Sequence, residues 1–123
     1  MVDVYPAEIY IAIGVFIILD IVTGFTQAVY NETVDSKILR NGMFHKLSYI
    51  FAIVLSLSLE YTCSFLELGF DCKVFVPLAI YIIATEGVSI LENIVRINPD
   101  LMNSPIFKLL SENKNRRADD NDE

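Results

Sequence analysis

Three acids, Asp20, Glu86 and Glu92, sit inside stretches of chain otherwise rich in Ile, Val, Leu and Phe. Carboxylates in such surroundings could serve intramembrane hydrolysis or a proton relay, and they are costly to keep there unless they face protein or water. A hydrolytic site needs companions that the pattern does not offer. No nucleophile–base pair accompanies the acids, His45 is the one histidine, and Cys63 and Cys72 lack metal-ligand spacing. The expectation is a chain that is not an enzyme and uses no metal or cofactor. The chemistry left to these acids is ion pairing, helix association or the lining of an aqueous path.

Helical periodicity groups the acids with other polar and small residues. In the segment VFVPLAIYIIATEGVSILENIVR, Thr85, Glu86, Ser89, Glu92, Asn93 and Arg96 share one face, and Val88, Leu91, Ile94 and Val95 fill the remainder. Glu92 and Arg96 are spaced i,i+4 with the acid first, the better order for a pair. Glu86 has no partner at i+3 or i+4, so it needs another helix, water or a proton. Earlier in the chain, Asp20, Thr23, Gly24, Gln27 and Asn31 share a face, and Gly24 with Ala28 makes a small-xxx-small step that lets helices approach closely. Ser48, Ala52 and Ser56 form a similar row in the middle segment. Two uses of these residues stay open. They can hold the helices of one chain together, or they can serve assembly with other copies and line an aqueous lesion.

The elements that must carry these faces are membrane helices. The chain has 123 residues, 54% of them hydrophobic, and a mean hydropathy of +0.48. Spans are predicted at about 5–30, 46–65 and 74–94, within a membrane domain of residues 1–97. An Asp at a span's centre costs about 3 kcal/mol, while each Leu, Ile, Phe or Val around it returns about 0.3–0.6 kcal/mol, so the first block still favours insertion. The rival is a soluble bundle of unusually apolar helices. Lys37, Arg40 and Lys46 lie in the first loop, Lys73 alone in the second, and Arg96, Lys108, Lys114, Arg116 and Arg117 toward the end. The positive-inside rule then puts the N-terminus outside and the C-terminus in the cytoplasm. The N-terminal stretch has no Lys or Arg, so the first block is expected to be a retained helix rather than a cleaved signal.

Asp35 or Ser36 is expected to cap a short amphipathic helix in the first loop, SKILRNGMFHK, at the inner headgroup surface. Asn98-Pro99 should end the third span, and Ser104-Pro105 should start a short tail helix, IFKLLSENK. Residues 98–123 thus form a cytoplasmic tail, polar from Asn113 onward. The net charge of −7, with 16 acids against 9 basic residues and no basic stripe, excludes a nucleic-acid partner. Cys63 and Cys72 both fall on the outer side, either as free thiols or as a disulfide. The triplet Asn31-Glu32-Thr33 lies on the cytoplasmic side, where glycosylation has no meaning.

The stretch from Leu19 to Ile50 resembles the phage holin and toxin-secretion holin family of Gram-positive bacteria and their phages. The resembling positions are Asp20, Thr23, Gly24, Ser36, Gly42 and Lys46. A second match is EGVSILEN, comprising Glu86, Gly87, Val88, Ser89, Ile90, Leu91, Glu92 and Asn93, similar to that family's EGxSILEN signature. Together the two cover about a third of the chain. Thr85 stands where the family often has Asn, Ile97-Asn98-Pro99 replaces a Gly-Pro type break, and the extreme C-terminus is acidic where many such tails are basic. The resemblance implies an all-α protein of the bacterial cytoplasmic membrane that oligomerises with itself in the lipid bilayer. It would form lesions through which endolysin, or a large toxin, crosses without having to bind it. A holin antagonist is a further implied partner. The rival functions are a narrow ion channel or proton-coupled subunit, in which Glu86 would titrate, and an antagonist role for this chain itself.

Overall fold

A computed structural model describes residues 4–109. Three long helices dominate it: α1 (Ala7–Tyr30), α2 (Ser36–Phe65) and α3 (Phe75–Ile97), followed by a 3-10 turn, Pro99–Asn103. There is no strand among the described residues. At 24, 30 and 23 residues, each long helix exceeds the roughly 20 residues that cross the hydrocarbon core of a bilayer. All three are apolar enough to do so.

Local sequence sets the ends of these helices. Pro6 supplies an extended residue ahead of α1. At the other end Glu32 takes a left-handed conformation, φ 54. Its N–H donates to the Val29 carbonyl at 3.2 Å, and the Thr33 N–H donates to the Ala28 carbonyl at 2.8 Å. That pair of bonds closes the helix as a Schellman motif. The Asp35 carboxylate accepts the Lys37 N–H at 2.8 Å and caps α2. α3 ends where Pro99 follows Asn98, as expected. Residues 105–109 are helical, with the Lys108 N–H donating to the Ser104 carbonyl at 3.2 Å. The remainder of the expected tail helix, the polar segment after it and its acidic end lie outside the described residues.

One expectation is corrected. The first-loop helix and the second span are not separate elements, because α2 runs unbroken from Ser36 to Phe65. Between Ser36 and Lys46 there is no proline and no second cap. Gly42 is the weakest helix former there, and its cost of about 1 kcal/mol does not stop propagation. The basic stretch is the exposed first third of a single rod about 45 Å long.

α3 is the central helix, packed most extensively on α1 and also on α2. Its inward row is Phe75, Ala79, Ile82, Glu86, Ile90 and Asn93, at steps of three or four. The apolar core joins Ile13, Tyr49, Phe75, Ala79 and Ile82, with Tyr5, Ile9 and Ile53 packed around it. Phe75 is wholly buried and faces the rings of Tyr5 at 4.7 Å and Tyr10 at 5.2 Å. The outer faces are the reverse of a soluble protein's surface. Ile11, Val15, Ile18, Val22, Ile50, Phe51, Val54, Leu55, Ile80 and Val88 are all exposed. Contiguous apolar surface of this kind calls for a lipid or protein neighbour.

Candidate functional site

Asp20, Lys46 and Glu86 turn inward. Glu86, on the central row of α3, is 1% exposed. It accepts a hydrogen bond from the ammonium of Lys46, a buried residue of α2. The same Lys46 Nζ lies 2.5 Å from Oδ2 of Asp20 on α1. One cation thus bridges two carboxylates, and each of the three charges comes from a different helix.

The second oxygen of Asp20 is also used. Asn93 Nδ2, two helical turns beyond Glu86 on the inward row of α3, donates to Asp20 Oδ1 at 3.1 Å and to Thr23 Oγ1 at 3.2 Å. Thr23 in turn donates to the Leu19 carbonyl at 2.8 Å. A Cβ at Gly24 would sit 3.4 Å from Asn93 Nδ2, an ordinary contact, so the space there admits a methyl group and little more. Next to the cluster, the Tyr49 hydroxyl and His45 Nε2 are 2.9 Å apart. Among the described residues, no buried side-chain nitrogen or oxygen lacks a hydrogen-bond partner. The cluster is therefore satisfied, with a net formal charge of −1. Taking such charges out of water is affordable only when pairing and hydrogen bonding are this complete.

A second polar joint closes the other end of the bundle. Glu60, in the last turns of α2, accepts the backbone N–H groups of Val74 and Phe75, each at 2.7 Å. Its other oxygen accepts the Tyr5 hydroxyl at 2.8 Å. α3 has no capping side chain of its own. Glu60 satisfies two of the amides orphaned at its start and places a negative charge at the positive end of its dipole.

The residues singled out in the sequence separate into groups. Asp20, Thr23, Gly24, Glu86 and Asn93 meet in or beside the cluster, while Ser56 is buried farther along α2 and Ala28 farther along α1. Gln27, Ala52, Ser89, Leu91 and Gly87 are half-buried, Ile90 is buried, and a Cβ at Gly87 would touch Phe16 at 3.4 Å. Ser48, Glu92 and Arg96 are exposed. Glu92 and Arg96 form no ion pair with each other, in keeping with the few tenths of a kcal/mol that an exposed i,i+4 pair is worth. Ser36 and Gly42 lie on the exposed third of α2. The inward row of α2 is Lys46, Tyr49, Ile53, Ser56 and Glu60, not the row through Ser48.

Two participants were missed in the sequence. Lys46 reads in the sequence as a first-loop cation and a position of family resemblance, and Glu60 as an acid toward the far end of the second span. The signal for both was available, because they fall on one three-four row with Tyr49 and Ser56. Among the described residues no group of three His, Cys, Asp or Glu side chains could hold a metal ion. The cluster's chemistry is that of a joint: it clamps three helices at one point, and loss of the Lys46 charge leaves both acids without a counter-ion.

The sequence model of the bacteriophage holin family matches residues 7–113. No curated protein and no solved structure matches the chain.

Proposed function

This chain belongs to the bacteriophage holin family, and from that premise we propose that it oligomerises in the bacterial cytoplasmic membrane and opens lesions that release endolysin, or a large toxin. The N-terminus and the α2–α3 loop face outward, and the start of α2 and the tail face the cytoplasm, following the bias of Lys and Arg. The family is not one of enzymes, and the reading assigns this chain no reaction.

The observation that carries the proposal is the inside-out distribution of polarity. The Asp20–Lys46–Glu86 cluster is satisfied within a single chain, while the outer faces of all three helices are apolar. A single copy can therefore rest in lipid without exposing a buried charge. Glu92 and Arg96 remain exposed near the end of α3, open to another copy or to water, and Ser48 is exposed on α2 while donating to the carbonyl of His45. Accumulation as quiet monomers, followed by assembly through these residues, fits both facts. Endolysin needs no docking site in this scheme, and an antagonist chain would act by competing for the same outward polar residues.

The test is expression of the chain alone in bacteria that also hold a cytoplasmic murein hydrolase. Collapse of the membrane potential together with escape of the hydrolase supports the lesion. Collapse of the potential with the enzyme retained overturns it in favour of a narrow channel. No effect on either overturns it in favour of an antagonist.

A further inference from the structure

The loop between α2 and α3 brings Cys72 back to the cavity that Cys63 lines at the end of α2. Glu67 and Gly69 take left-handed backbone angles, φ 47 and φ 74, which reverse the chain after α2. The reversal carries Cys72 back beside Cys63 in the last turn of α2. Both are free thiols and both are half-buried. They line one cavity of about 540 Å³, together with Glu60 and Lys73. Cys63 stands one turn beyond Glu60, and Cys72 stands two residues before Val74, whose amide Glu60 accepts. The thiol pair therefore sits on the joint that fastens α3 to α2.

We propose that Cys63 and Cys72 are a modification site, oxidised to an intrachain disulfide that ties the end of α2 to the start of α3 on the outer side of the membrane. The proposal rests on the outward orientation of this loop. The oxidant class is an external disulfide, of a small molecule or a protein. The thiolate of one cysteine attacks a sulfur of that disulfide and expels one thiolate; the thiolate of the other attacks the mixed disulfide and expels the second. Two cysteine thiols are oxidised, one external disulfide is reduced to two thiols, and the two protons pass to the departing thiolates. The neighbouring Cys63 side chain pushes the Cys72 thiol above its ordinary range, so the exchange quickens as the pH rises above neutrality. Once made, the bond keeps the Glu60 cap seated while the ionic cluster at the other end of the bundle stays free to open.

Thiol accounting on the full chain in its membrane tests this. Cells expressing it are quenched in acid, free thiols are blocked with N-ethylmaleimide, and a polyethylene-glycol maleimide is added with and without dithiothreitol. Both cysteines of a monomeric chain should gain the heavy label only after reduction, and Cys63→Ser should abolish the reducible fraction. In parallel, the single thiol of Cys63→Ser is probed on intact cells with a membrane-impermeant maleimide. Labelling there, with both wild-type thiols blocked before reduction, overturns the disulfide and leaves the orientation standing. Labelling only after the cells are opened overturns the orientation, and the disulfide with it.

Discussion

At the scale of single residues, Lys46 decides most. It holds two acids that would otherwise repel each other at close range, so Lys46→Met leaves Asp20 and Glu86 buried without a counter-ion. Removing one partner of a buried pair costs about 3–5 kcal/mol, and denaturation of the variant in detergent should show a loss of that size. Glu86→Gln is milder. It leaves a neutral Lys46–Asp20 pair and an amide that still accepts, for a loss of roughly 1–2 kcal/mol. It should nevertheless shift lysis timing more than Glu32→Gln, which alters an exposed turn; equal timing would remove Glu86 from the mechanism. Combining Lys46→Met with Asp20→Asn and Glu86→Gln should regain part of the stability, because no unpaired charge remains. At Gly24 an added Cβ meets Asn93 Nδ2 at 3.4 Å, an ordinary contact. Gly24→Ala should therefore fold normally, whereas Gly24→Leu should displace Asn93 from Asp20 and destabilise the α1–α3 crossing by about 1–3 kcal/mol.

At the scale of elements, the joint at Glu60 and the continuity of α2 carry separate expectations. Glu60→Ala removes the acceptor for two amides of α3 and should cost about 1–2 kcal/mol, as loss of a helix cap does. Faster hydrogen exchange at Val74 and Phe75, with the amides around Glu86 unchanged, would localise the loss to that end. A Cβ at Gly42 meets nothing within 4 Å. If α2 is one rod, Gly42→Ala should stabilise it by about 0.5–1 kcal/mol; no gain would restore a helix boundary there. The sequence made the three spans legible, because apolar runs and helical periodicity reveal each helix by itself. It did not reveal the fusion in α2, where a change from basic to apolar composition imitates a boundary without any residue that stops a helix. Nor did it reveal the Lys46 bridge. Periodicity gives the inward faces of α1 and α3, and so Asp20, Glu86 and Asn93. It does not give the relative height and rotation of three helices, which alone bring Lys46 between the two acids.

At the scale of the whole molecule, the fold keeps Asp20, Lys46 and Glu86 between its helices and offers mainly hydrocarbon outside, and this sets what the proposed self-assembly can use. Tyr49, Ser56, Ile82 and Glu86 are buried within one chain, so assembly of intact monomers cannot pair them across copies. Ser48 and Glu92 are exposed on α2 and α3, and polar side chains on lipid-facing surfaces gain most by meeting another helix. In a chain carrying Cys63→Ser and Cys72→Ser, single cysteines at Ser48 or Glu92 should therefore crosslink between copies several-fold more than cysteines at Ser56 or Ile82. The comparison is made in membranes before the potential collapses and again afterwards. An unchanged pattern means that copies associate as closed units through their outer faces. If crosslinking moves after collapse to Ser56 and Ile82, the Asp20–Lys46–Glu86 joint has opened and its charged groups have turned toward other copies or water. Equal crosslinking at all four positions at both times would show that the outward polar residues direct no particular contact, and assembly through them would have to be abandoned.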